Sequence, residues 1–251
     1  MALVLSETAA GGAILLFLTP LWREVRRGFF KLTGSILLVV ALAGWGAAAS
    51  ARVAGSGDGR AATWLAAAFA GITFLWVALL FARAQLAARA IGMASIPLSV
   101  AALTAMAGTA DRSTIVALFL LLAGAAFLGA VTDGLLLGHW YLTDRGLTRT
   151  PIDRATLLLI VSVAFETFAV IAGGFGPAPT SSDFNPLLGY LGIGTWIALG
   201  MVGATGLTAV MIRLTLRGER ASAVQSATGF FYLAVVFAFT AEVAAKVRFL
   251  P

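Results

Sequence analysis

Cysteine is absent from this chain, and with it go disulfides, thiolate metal sites and cysteine-held iron–sulfur clusters. Charge is nearly as scarce. Only 11% of the 251 residues are charged, less than half the ~25% of a soluble globular protein. That is too little to coat a water-facing surface of this size. Histidine occurs once, as His139, so a haem held by two histidines is excluded. His/Met ligation would need Met93, Met106, Met201 or Met211, and nothing in the sequence supports it. There is no HExxH, Walker loop, nucleophile elbow or cluster of metal ligands, so no metal site is expected.

What remains is apolar: 60% hydrophobic residues and a mean hydropathy of +0.98. Lipid is therefore the expected solvent. Spanning ~30 Å of hydrocarbon takes about 20 apolar residues, and eight segments qualify, roughly 2–21, 33–55, 61–82, 88–108, 114–142, 154–174, 186–212 and 222–245. The fold class expected is all-α, a polytopic integral membrane protein with eight transmembrane helices in one membrane domain over 1–251. Segment 88–108 holds Pro97 and several Ser and Thr, which suits a helix facing protein rather than lipid.

The net charge of +6 does not point to nucleic acid, because the basic residues sit in short loops and not along a groove. Twelve of them, Arg23, Arg26, Arg27, Lys31, Arg83 and Arg149 included, fall on one side and five on the other. The positive-inside rule then puts both termini outside the plasma or inner membrane. The first segment lacks a positively charged start and reads as a retained helix, not a signal peptide. The loop GGFGPAPTSSDFNPLLG, 173–189, reads as a connector, with a lid or docking surface as alternatives. Placing Ile14 over Leu135, an offset of 121 residues, aligns helix end, basic loop and next helix. That echo suggests repeat halves 1–110 and 111–251 of four helices each, related as a parallel repeat.

An ionisable group at the bilayer centre costs at least ~2.5–3.5 kcal/mol, so each one needs a reason. Four acids qualify: Glu7, Asp133, Glu166 and Glu242. Glu7, Glu166 and Glu242 are expected in the outer half. There a polar pocket could accept a proton from a quinol headgroup, bind a cationic solute or relay protons. In the alternative, Glu7 and Glu242 simply reach water. Glu166 ranks first, being deepest and without a basic neighbour on its own helix. Glu7 opens SETAAGG, whose small residues Ala9, Ala10, Gly11 and Gly12 read as a helix-packing face.

Asp133 lies well inside the fifth span and calls for a partner, an inner-side arginine or a hydroxyl on the fourth or sixth span. His139 lies six residues on, about 240° round the helix, so the two do not form a pair. His139–Trp140–Tyr141 fits an aromatic belt at headgroup level. In the sharper alternative His139 exchanges a proton with a quinone or ligates haem. Tyr141 and Tyr190 are further quinone or proton-exchange candidates.

Eight helices, two four-helix halves, SETAAGG with Glu7 and LLLGHWYL with His139 resemble the membrane-anchor, quinol-interacting subunits of polysulfide and dimethyl-sulfoxide reductases. The resemblance implies electron exchange between membrane quinol and a partner iron–sulfur or cytochrome subunit, through a chain that is not a self-sufficient enzyme and needs no haem. One rival is a secondary transporter with a midplane site containing Glu166 and Asp133. It predicts a cavity between the halves, and helices broken near 189–205 or Pro97. Another is a structural or assembly subunit whose acids are satisfied by their neighbours.

Overall fold

The computed structural model describes residues 1–53, 59–110, 112–144, 146–175, 193–218 and 222–246, with the side chains of 52 and 53 outside that description. Its elements are helices: α1 (Ala2–Leu18), α2 (Leu21–Glu24), α3 (Arg27–Val53), α4 (Arg60–Phe81), α5 (Gln85–Ala107), α6 (Thr114–Thr143), α7 (Thr150–Ala172), α8 (Ile193–Leu216) and α9 (Ser222–Lys246).

Among the described residues, seven helices, α3 to α9, are long and apolar enough to cross a membrane, which makes this a polytopic helical protein. The expected first span is shorter than foreseen. α1 has 17 residues, ~25 Å at 1.5 Å each. It stops at Leu18 because Thr19, the residue before Pro20, takes an extended conformation (φ −89°, ψ 153°). The second span starts earlier than its apolar run, at Arg27. The sixth opens at Thr150 with Pro151 in its first turn, where a missing N–H is harmless. Residues 186–192 of the expected seventh span lie outside the described residues. α5 runs unbroken through Pro97, and buried Ser95 and Ser99 donate to the Gly92 and Ile96 carbonyls at 2.6 and 2.8 Å. The foreseen break at Pro97 is not there, and the described part of the Gly-rich stretch, 193–205, is continuous helix.

The long helices close into two rings. In the first, α1 packs on α3 and α5, and α4 bridges those two. In the second, α6 packs on α7 and α9, and α8 bridges them. Outward faces carry Trp64, Phe74, Phe168 and Leu207, large exposed apolar groups that suit lipid.

The rings join along α1 and α6, which run parallel. Glu7 meets α6 at Gly124, Gly11 meets Ala125 and Gly129, and Gly12 meets Asp133. A Cβ on Gly11 would lie 1.7 Å from the Ala125 carbonyl oxygen, so only glycine permits this backbone contact. α9 runs antiparallel along another face of α6, where Gly134 receives Phe231 and Gly138 receives Thr228.

Helix order puts the ends at Ala2, Ala107, Thr114, Ala172, Ile193 and Lys246 on one face, here the terminal face. The opposite face is rich in arginine. There Arg154 grips Glu24 with two nitrogens (2.9 and 3.1 Å), Arg213 pairs with Asp153 at 2.8 Å and Arg26 with Asp144 at 3.2 Å. These partly exposed pairs contribute little stability individually. They tie α2 to α7, α7 to α8, and the chain before α3 to the end of α6.

Candidate functional site

Below the terminal face, four ionisable side chains from three helices meet in the protein interior. Glu7 comes from α1, Glu166 from α7, and Glu242 and Lys246 from α9. Glu7 and Glu242 are fully buried, Glu166 is 2% exposed and Lys246 7%. Lys246 stands at the centre. Its Nζ lies 2.9 Å from Glu7 Oε1 and 3.0 Å from Glu242 Oε2, and donates to the Leu120 carbonyl at 3.2 Å. Glu166 is the third acid of the group and lines the same recess as Lys246. The contacts are close but not well aligned: among the described residues, neither oxygen of Glu7 or of Glu242 accepts a hydrogen bond of good geometry.

The local sequence explains why this is possible. Gly124 of α6 faces the cluster, and a Cβ there would lie 2.9 Å from both Glu7 Oε1 and Glu242 Oε1. The lysine's long apolar stem lets its ammonium fold back into the helix bundle, one turn after Glu242. By helical rise the site lies roughly 6–9 Å below the ends of α1, α7 and α9. With every group ionised, three carboxylates and one ammonium leave two negative charges in excess. Such an excess in a buried site calls for protons or cations as counter-ions.

A recess leads to the cluster from the terminal face inside the second ring. Glu166 and Lys246 form its polar floor, Arg112 its rim, and Ala169, Val170 and Thr195 its walls. Its cavity volume of about 20 Å³ is room for about one water molecule.

The sequence placed Glu7, Glu166 and Glu242 in one half of the bundle, and the structure brings all three together. The alternative in which Glu7 and Glu242 reach water is overturned, because Gly124 and the crossing of α1 with α6 leave space for them inside. Lys246 is the residue that sequence reasoning missed, counting it with the loop charges. Its i,i+4 spacing from Glu242 was the available signal.

The remaining candidates lie elsewhere. Asp133 is 7% exposed, and neither of its oxygens meets a hydrogen-bond donor among the described residues. The expected arginine is near, since Arg154 lines the same recess, but its terminal nitrogens are engaged by Glu24. His139 is exposed, with Nδ1 3.5 Å from the Tyr232 hydroxyl. That placement fits the aromatic-belt reading. Tyr141 is buried and donates to the Thr148 carbonyl, a bond that holds the α6–α7 turn. Tyr190 lies outside the described residues. Among the described residues no group of His, Asp and Glu is arranged to hold a metal ion.

No family model, curated protein or solved structure matches this chain, so the Glu7–Glu166–Glu242–Lys246 cluster has to be read from its own chemistry.

Proposed function

We propose that this chain is an integral membrane subunit of an electron-transfer complex, exchanging protons with a quinol at the cluster on its terminal face. The observation that carries the reading is the convergence of three buried acids on one lysine, at the foot of a recess on one face. A quinol supplies two electrons and two protons on oxidation. The recess is too narrow for its ring, so the headgroup rests at the mouth against Ala169, Val170 and Thr195. Glu166 takes the two protons there in turn, through one intervening water, and passes them inward to Glu242 and Glu7, whose excess of two negative charges they neutralise. Lys246 holds the remaining carboxylate charge in place throughout. The chain has no cysteine to hold an iron–sulfur cluster, so the electrons pass to a partner subunit. The resemblance of SETAAGG and LLLGHWYL to reductase anchor subunits is in keeping with this reading, which places the chain in the plasma membrane with its N-terminus outside.

A proton-coupled transporter is the second reading, favoured by the two matching rings of helices. It would require the Gly11–Ala125 contact to open, because the two rings meet there with backbone against backbone.

Purification in mild detergent followed by extraction of bound small molecules tests the choice. The expected result is quinone near one per chain, reduced at least tenfold in Glu166→Gln and unchanged in His139→Ala. Absence of quinone from the intact complex, or proton-coupled uptake by this chain alone in vesicles, would overturn the reading.

A further inference from the structure

The arginine-rich face is unevenly balanced. Its described acids, Glu24, Asp144 and Asp153, are taken by Arg154, Arg26 and Arg213. Helices α3, α4 and α5 contain no Asp or Glu at all. Their ends on this face nevertheless carry Arg27, Lys31, Arg83 and Arg89. Among the described residues none of these four meets a carboxylate within ion-pair distance.

The bias of basic residues to one side of a membrane accounts for their presence, but not for how they gather. Arg27 and Lys31, one turn apart on α3, both reach the end of α4. Arg27 donates to the Leu80 carbonyl, and the Lys31 ammonium lies 4.5 Å from the centre of the Phe81 ring. Exposed Arg83 follows two residues later in the left-handed region, φ 65°, where the Ala84 N–H closes α4 on the Leu79 carbonyl at 3.1 Å. Glycine is the ordinary residue for that backbone, so arginine keeps a charge here at a conformational cost. Like charges gathered at one place repel, and this corner draws its counter-charge from outside its own helices.

The surroundings indicate the source. Lys31 lies four residues into α3, ~6 Å from its start, at headgroup depth. Deeper along α4, Phe81 and Phe74 are 58% and 61% exposed, with the small Ala78 between them on the same face, and Leu86 at the start of α5 is 89% exposed. A free anion would answer the charges and leave this apolar surface uncovered. A phosphate carrying acyl chains answers both.

We propose that the corner of α3 and α4 is a binding site for an anionic phospholipid, its phosphate between Lys31 and Arg83 and an acyl chain along Phe81 and Phe74. Arg27, tied to the Leu80 carbonyl, holds the two helix ends together and adds to the positive field. This proposal does not depend on the quinol reading.

Native mass spectrometry of the detergent-solubilised full chain tests it, with phosphatidylglycerol, phosphatidylcholine and inorganic phosphate as probes. The wild type is expected to retain phosphatidylglycerol where phosphatidylcholine is lost, and an excess of phosphate does not displace it. Lys31→Gln and Arg83→Gly are each expected to weaken retention about fivefold, as the loss of one basic residue at a membrane surface implies, whereas Lys31→Arg keeps it. Arg83→Gly also relieves the left-handed backbone, so its unfolding midpoint is no lower than that of the wild type and the lost lipid is not lost fold. Arg217→Gln, which removes an exposed charge from the same face at the end of α8, leaves retention unchanged. An equal loss in Arg217→Gln, the mark of diffuse attraction to the whole face, would overturn the proposal. So would equal retention of phosphatidylcholine, displacement by inorganic phosphate, undiminished retention in Lys31→Gln and Arg83→Gly, or no retention by the wild type.

Discussion

Lys246 bears more of the site's electrostatics than any other side chain, being the one ammonium set against Glu7, Glu166 and Glu242. Replacing it with methionine keeps the apolar stem and removes the charge. Breaking a buried ion pair from one side costs about 3–5 kcal/mol, so Lys246→Met is expected to lower the unfolding midpoint in detergent sharply. The double variant Lys246→Met/Glu242→Gln, which also removes one orphaned acid, is expected to recover part of that loss. The three acids were legible in the sequence because a carboxylate inside an apolar run is conspicuous whatever the fold. Lys246 was not, because a basic residue at the end of a span is the ordinary pattern and only the tertiary fold turns it inward. Asp133 was legible as a buried acid, but that no donor among the described residues reaches it was not. That depends on Glu24, from the short α2, claiming Arg154 first.

The decisive feature among the helices is the glycine contact between α1 and α6. At Gly11 the obstacle to a methyl group is the Ala125 backbone oxygen, which cannot rotate aside as a side chain could. Gly11→Ala is therefore expected to destabilise by more than the usual ~1–3 kcal/mol of overpacking, as a lower unfolding midpoint or loss of folded protein. Gly46→Ala and Gly71→Ala supply the control. A Cβ at either meets nothing within 4 Å, and each is expected to leave stability unchanged or raise it by up to ~1 kcal/mol. SETAAGG announced a close-packing face without naming the helix that fills it. The complementary Ala125 and Gly129, four residues apart on α6, were one small-residue pair among many in an alanine- and glycine-rich chain. The turn at Thr19–Pro20 was equally present in the sequence, but hydropathy averaging ran across it and made α1 too long.

For the molecule as a whole, the absence of native cysteine makes side-specific labelling direct. Single cysteines at Arg83 and Gly218 are expected to react from one side of the membrane, and cysteines at Ala2 and Ala110 from the other. A cysteine at Ala2 that labels together with Arg83 would mean that α1 does not cross, leaving seven spans. The helical membrane architecture was readable from hydropathy because the cost of exposing polar backbone to lipid acts on every span alike. The two rings were not, since which helix touches which is decided by shape. The offset of 121 residues hinted at them over only one helix pair.

Glu7 and Lys246 lie close to opposite ends of the sequence and only 2.9 Å apart in space. During translation the acid enters the membrane with α1 and waits for its ammonium until α9 has been made. A nascent chain in which α9 has not yet been inserted therefore carries a costly orphan on α1, a chemical mark that separates it from a chain in which the pair has formed.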